Sequence, residues 1–303
     1  MKHLVSVADL TREDVLHLFE VAAELKTRRK AGDLATPLAG RSIALIFEKP
    51  SLRTRVTFEV GAVQLGGRAV YLTASEIGLG TREAVSDVAR NLSLWVDGIV
   101  ARVNSHETVL TLARHAAVPV FNALSDREHP CQALADYFTL WERGLDLARI
   151  HAVWIGDGNN VCHSFLLMGA LLGCRLTAAC PAGYGPAPEV LALVRRLGGR
   201  VEVTPDPRAA ATGADVLYTD VWTSMGQEAE QARRREVFRE YQLSDALVRC
   251  ARPTAVVMHC LPAHRGEEIT DSVLDGPQSI VLDQAENRLH AQKAVIKEFV
   301  GER

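Results

Sequence analysis

The sequence predicts an α/β protein of two domains, each a parallel sheet flanked by helices. Two observations carry that prediction. The chain has 303 residues, more than one hydrophobic core of ordinary size serves, so two domains of about 100 to 150 residues each are expected. Short apolar runs rich in β-type residues also alternate with stretches of helical periodicity, which implies parallel strands covered on both faces.

Taken in chain order, Asp9 to Arg29 places Val15, Leu16, Leu18, Phe19, Ala22 and Leu25 at helical spacing, opened by Thr11 and Asp14 in a near capping box. Ser42 to Phe47, Gly98 to Val103 and Val118 to Ala123 read as strands, and Val56 to Leu65 as the helix after the first of them. A second series of strands then follows at His151 to Gly156, Arg175 to Cys180, Arg200 to Thr204, Val216 to Asp220, Ala255 to Cys260 and Ser279 to Asp283. Cys131 to Arg143 reads as the helix linking the two series, and Asn287 to Val300 as a closing helix. The expected domains are therefore 1–145 and 146–285, with 286–303 packing back on the first.

Composition narrows the class of function. Hydrophobic residues make up 48% and charged residues 23%, with a formal net charge of −3, which disfavours disorder and broad nucleic-acid binding. Any anion site must be local. Six cysteines without a CxxC pair argue against a zinc ribbon or a disulfide scaffold and suit a reducing compartment. No run approaches the ~20 apolar residues of a membrane span, and no signal-peptide core follows Met1, so a cytoplasmic protein is expected.

Ligands collect where the strands of such sheets end, so the residues just after each β-run carry the reading of function. Ser51-Leu52-Arg53-Thr54-Arg55 lies between a strand and a helix. A helix start offers free N–H groups and the positive end of its dipole, Ser51 and Thr54 can cap and donate, and Arg53 and Arg55 present planar forks to phosphate oxygens. An ordinary cap with two solvated arginines is the plain alternative. Pro130 leaves His129 and Gln132 at the mouth of the next helix, where an imidazole can polarise a carbonyl and an amide can bind an amide; a structural cap is the plainer and commoner reading of such a segment alone. In the second series, Asp157-Gly158-Asn159-Asn160 resembles the start of a dinucleotide loop but lacks its third glycine, and the amides of Asn159 and Asn160 better suit a carboxylate or ammonium ligand. Asp220 can fix a cation or cap a helix, and Cys260 can face the same crevice or serve as a small buried hydrophobe. A Cys-His nucleophile is disfavoured, since His259 and Cys260 would alternate across a strand.

Phe47-Glu48-Lys49-Pro50-Ser51-Leu52-Arg53-Thr54-Arg55, His129-Pro130-Cys131-Gln132, Asp220-Val221-Trp222-Thr223-Ser224-Met225-Gly226 and His259-Cys260-Leu261-Pro262 together resemble the transcarbamylases, and within them the ornithine branch. The match in order and spacing runs to Glu286-Asn287-Arg288. The resemblance implies transfer of a carbamoyl group from carbamoyl phosphate to L-ornithine, giving L-citrulline and phosphate. It also implies a homotrimer or an assembly of trimers, an active site in the crevice between the domains, and no metal or organic cofactor. By resemblance, Ser51, Leu52, Arg53, Thr54 and Arg102 hold the phosphate, His129 and Gln132 the carbamoyl group, and Arg288 with the backbone of Cys260 and Leu261 completes the pocket. Asn160, Asp220, Ser224 and Met225 look like the ornithine contacts. The implied catalytic set is Arg102, His129, Asp220 and Cys260. Two departures stand out: Leu52 takes the place of a more usual threonine, and the turn Glu76 to Gly80 lacks a glutamine found in some relatives. A transcarbamylase for putrescine or an acylated ornithine, or a nonenzymatic sensor, is the alternative reading.

Overall fold

The structure is a computed structural model that describes residues 3–33, 36–224 and 228–301. Two compact units emerge, Met1–Phe138 with Glu286–Arg303, and Thr139–Ala285. Each holds one parallel sheet with helices. The predicted α/β architecture of two parallel sheets is thus present in the fold.

In the first unit, strands β1 (Ser42–Phe47), β2 (Arg68–Thr73), β3 (Gly98–Arg102) and β4 (Val120–Leu124) lie in the order β2-β1-β3-β4. Strands β1, β3 and β4 are largely apolar and buried nearly throughout, as parallel strands covered on both faces must be. β2 escapes the sequence reading because it is an edge strand whose Arg68 and Val70 are exposed, so it shows no continuous apolar run. Helix α1 (Arg12–Lys30) is capped by Thr11, whose hydroxyl accepts from Asp14 while Asp14 returns the bond to the Thr11 backbone. The predicted start at Asp9 is corrected: Val7–Asp9 is a separate short turn with its own capping box from Ser6 to Asp9. Helix α2 (Leu52–Gln64) follows β1, α3 (Ala74–Ile77) follows β2, α4 (Val85–Trp95) precedes β3, α5 (His106–His115) joins β3 to β4, and α6 (Pro130–Glu142) follows β4.

In the second unit, β5 (His151–Ile155), β6 (Arg175–Ala179), β7 (Val201–Thr204), β8 (Val216–Thr219) and β9 (Val256–His259) lie in the order β7-β6-β5-β8-β9, all pairs parallel. Helix α7 (Asn160–Leu172) is buried along almost its whole length and follows β5 directly. Five further helices, α8 (Pro188–Arg196), α9 (Pro207–Ala211), α10 (Gln231–Val237), α11 (Asp245–Val248) and α12 (Asp271–Leu274), fill the connections. The strand predicted at Ser279 to Asp283 is not one. Ser279 makes a single bridge to Val257, and the chain then enters α13 (Val281–Val300). A short apolar run does not distinguish a buried strand from the first turn of a helix. No helix among the described residues is long and apolar enough to cross a membrane.

Both sheets have a point where the strand order reverses. In the first unit it falls between β1 and β3, and in the second between β5 and β8. Parallel strands all end on one edge, so the segments leaving these strands converge there.

Candidate active site

In the first unit the chain leaves β1 through Ser51, which caps α2 by accepting from the Thr54 N–H. Register places Phe47 opposite Arg102, so the end of β3 delivers Arg102 beside that cap. Thr54 is buried, and its hydroxyl receives Nη1 of Arg102 at 3.4 Å and Nη2 of Arg288 at 3.2 Å. Arg288, on α13 and 2% exposed, also donates through Nη1 to Oε1 of Gln132. Gln132 in turn donates from Nε2 to the fully buried Asp136 at 2.7 Å. An acceptor-only carboxylate on the nitrogen side leaves the Gln132 oxygen facing the guanidinium. Gln292, with its amide oxygen turned toward Arg288, accepts from Nη2 at 2.8 Å and Nε at 3.2 Å and donates to Thr57 at 2.5 Å. Two guanidiniums are therefore held by direct hydrogen bonds to neighbouring side chains.

His129 lies beside this cluster and is buried. Burial pushes its pKa well below the ordinary value, and the positive charges of Arg288, Arg102 and Arg53 push it further down. The imidazole is thus neutral at neutral pH and can donate one N–H without adding charge. The cluster holds cationic and neutral donors around a buried hydroxyl, which suits a phosphate beside a carbonyl oxygen that gains negative charge.

Arg55 does not join it. Its Nε pairs with Glu59 at 3.0 Å and its guanidinium lies 3.6 Å from the centre of the Tyr71 ring, on an exposed face of α2. Successive residues of a helix diverge by about 100°, so Arg53 and Arg55 cannot both face the cap. Leu52 is 74% exposed. In the turn from Glu76 to Gly80, Glu76 is spent on a capping box with Thr73. Sequence reasoning gave no role to Asp136 or Gln292, or to Glu128, whose carboxylate accepts from Ser6 Oγ at 2.7 Å and Val7 N–H at 2.9 Å. Burial pushes the Glu128 carboxyl up to about 7. For Asp136 and Gln292 the signal is burial of a polar residue one helical turn from a motif, and for Glu128 burial beside one, which only the packed structure reveals.

In the second unit β8 lies between β5 and β9, and this order brings together what the sequence scattered. Asn159, after β5, caps α7 with its oxygen and donates from Nδ2 to Asp220 Oδ2 at 2.8 Å. Cys260, after β9, donates from Sγ to Asp220 Oδ1 at 3.1 Å. Asp220, after β8, is the centre of the group and 7% exposed. Asn160 is half-buried at the first turn of α7, and Ser224 is half-buried in the segment after Asp220. Met225 lies outside the described residues. The glycine of the dinucleotide-like loop has an internal reason: a β-carbon at Gly158 would come within 2.3 Å of the Gly185–Pro186 backbone. Nearby, Arg234 is 6% exposed and donates to Asp157 at 3.0 Å and to the Trp222 carbonyl at 2.9 Å, which ties the segment after Asp220 to the end of β5. Burial raises the Asp157 carboxyl to about 6, against the pull of Arg234.

One ligand-capable atom from each of Asp220, His259 and Cys260 lies within 4.8 Å of the others. Both ring nitrogens of His259 are already engaged, Nδ1 by the Leu261 N–H at 2.8 Å and Nε2 by Glu268 at 3.0 Å, so a cation there would displace one of them. The same bonds remove His259 as a base for Cys260.

Comparison with known proteins bears on the same residues. The family described as aspartate/ornithine carbamoyltransferase, carbamoyl-P binding domain, matches residues 2–142, and its Asp/Orn binding domain matches residues 148–299. An ornithine carbamoyltransferase of Methanosarcina mazei is 51% identical over 97% of this chain and 98% of its own length. An anabolic ornithine carbamoyltransferase of Pyrococcus furiosus is 49% identical over 99% of this chain and 96% of its own. A solved structure of the ornithine carbamoyltransferase from Pyrococcus furiosus superposes with a TM-score of 0.96 at 48% identity, covering 100% of this chain and 98% of that one. With matches to both domains and near half the residues identical along its whole length, the chain belongs to the aspartate/ornithine carbamoyltransferase family.

Proposed function

We propose that the chain transfers the carbamoyl group of carbamoyl phosphate to the δ-amine of L-ornithine, giving L-citrulline and phosphate, as a step of arginine synthesis. The observation that carries this reading is the buried cluster of Thr54, Arg102, Arg288 and Gln132 beside a neutral His129, in a chain of this family. Ser51, Leu52 and Arg53 add the N–H groups and cation of the α2 cap to the phosphate. As the amine attacks, the carbamoyl oxygen becomes negative, and donors held at that oxygen lower the barrier by about 2.7 to 4 kcal/mol each in well-studied sites. Thr54, Arg102 and His129 are those donors, and Gln132 with the backbone of Cys260 and Leu261 orients the carbamoyl group.

Ornithine's δ-amine has a reference pKa near 10.4, so the site must take up or generate its neutral form. Asp220 orients the amine with Cys260 beside it, Asn160 and Ser224 hold the amino-acid end together with Met225, and the departing phosphate accepts the proton. We assign 1–145 with 286–303 to carbamoyl phosphate and 146–285 to ornithine. A cytoplasmic homotrimer, or an assembly of trimers, accords with the resemblance. Leu52, Val56, Val60 and Val63 support it, since they form an apolar stripe on α2, 37 to 74% exposed, that a second copy would cover.

The deciding experiment is citrulline formation by the purified protein with ornithine, N-acetylornithine, putrescine, lysine and aspartate. Preference for any amine other than ornithine overturns the substrate assignment, and no turnover with any of them favours a sensor. Light scattering with size exclusion tests the trimer.

A further inference from the structure

His259 and Glu268 are fully buried and have no part in the reaction described above. β9 ends at His259, whose ring turns back on the following turn so that Nδ1 accepts the Leu261 N–H at 2.8 Å. An amide N–H can only donate, so Nδ1 carries no proton and Nε2 does, donating to Glu268 Oε1 at 3.0 Å. The same carboxylate oxygen accepts the His264 N–H at 2.6 Å. The pair therefore grips the Cys260 to Ala263 turn at both ends. Inside it, Leu261 has φ 58°, the one non-glycine residue with positive φ among the described residues. A side chain with a β-carbon disfavours that conformation, which persists only where its surroundings enforce it.

We propose that His259 and Glu268 are positioning residues that hold Leu261 left-handed and so aim the backbone of Cys260 and Leu261 at the carbamoyl group. What the turn contacts rests on the carbamoyltransferase reading; how the turn is held does not. Each bond is fixed by the donor or acceptor character of its partner, and histidine suits this position because its ring offers an acceptor toward Leu261 and a donor toward Glu268 at once.

Asparagine and glutamine at 259 separate the two bonds. Asparagine can set an oxygen near the Nδ1 position and keep the Leu261 bond, whereas glutamine reaches toward the Nε2 position and keeps the Glu268 side alone. His259→Gln should lower kcat for citrulline formation by up to roughly 100-fold, the scale of a small misplacement in a reacting site, while His259→Asn retains most of it. In a Leu261→Gly background the His259→Gln loss should shrink, since glycine takes positive φ freely. Equal losses in the two variants, with no relief from Leu261→Gly, would reduce the pair to ordinary core packing and overturn the proposal. Thermal unfolding accompanies each measurement, and if His259→Gln does not fold, Glu268→Leu is compared across the same two backgrounds. A crystal structure of the variant reads φ at 261 directly: relaxation to negative φ supports the proposal, and an unchanged φ overturns it. A wild type inactive with ornithine would sink the substrate reading alone, because φ at 261 still decides how the turn is held.

Discussion

The candidate site groups of the first unit are bonded directly to one another, whereas those of the second meet at a single carboxylate. Thr54, Gln132 and Arg288 lie within 2% exposure and are joined by direct hydrogen bonds, with Arg102 sharing the Thr54 hydroxyl. In the second unit Asp220 holds Asn159 and Cys260, while Asn160, in the first turn of α7, and Ser224, four residues after Asp220, are half-buried. The contrast follows the charge of the proposed ligands. A phosphate needs cations already fixed and stripped of water, since reorganising them during the reaction would raise the barrier. A cationic amino acid needs one carboxylate and several adaptable polar contacts.

The largest expected effect breaks the first network. Arg288→Ala would leave Gln132, Thr54 and Gln292 without their shared donor, and loss of one partner from a buried charged hydrogen bond costs about 2 to 5 kcal/mol. We expect kcat/KM for carbamoyl phosphate to fall by roughly two to three powers of ten. Steady-state kinetics showing a loss below about fivefold would mean the network is not assembled for the anion. Arg53→Ala should weaken calorimetric binding of carbamoyl phosphate strongly with the fold intact, whereas Arg55→Ala should leave it unchanged, because Arg55 is committed to Glu59 and Tyr71.

Asp220→Asn comes next and acts on the other side of the comparison. It keeps shape and removes charge, so ornithine turnover should drop by roughly 10- to 100-fold, matching about 1 to 3 kcal/mol for a buried polar partner left unsatisfied. Binding of carbamoyl phosphate should hold. Equal damage to both substrates would erase the division of labour between the units.

Two pH measurements sharpen the contrast with smaller effects. Burial and three arginines hold His129 well below the usual histidine range, so its ring nitrogens should report a neutral imidazole by NMR at pH 6, where an ordinary histidine is largely protonated. A protonated ring there would contradict the proposed electrostatics. In the second unit Asp157 is raised from 3.8 to about 6, chiefly by burial. The folded protein therefore binds this proton more tightly than the unfolded chain does. The stability it contributes is full below about 3.8 and is lost as pH rises through about 6. Asp157→Asn should give a flatter Tm profile than wild type across that window in calorimetry; parallel profiles would show that Asp157 does not titrate there.

The sequence by itself determined the alternation of strands and helices, the cap at Ser51, the helix mouth at His129 and the order of the motifs, because each is written in local spacing and capping chemistry. It did not reveal β2, whose exposed residues break the apolar run, or the helical start of α13, since the three-residue apolar stretch Ile280 to Leu282 fits either period. Only the tertiary structure decided that Arg55 turns to Glu59 and Tyr71, that Asp136 and Gln292 brace Gln132 and Arg288, and that His259 serves Leu261 rather than Cys260. Asp220, Asn159 and Cys260, up to 101 residues apart in the chain, meet because β8 is laid between β5 and β9. Strand order is set by which long-range packing buries the most apolar surface and leaves no backbone group unpaired, and no local window of sequence records that choice.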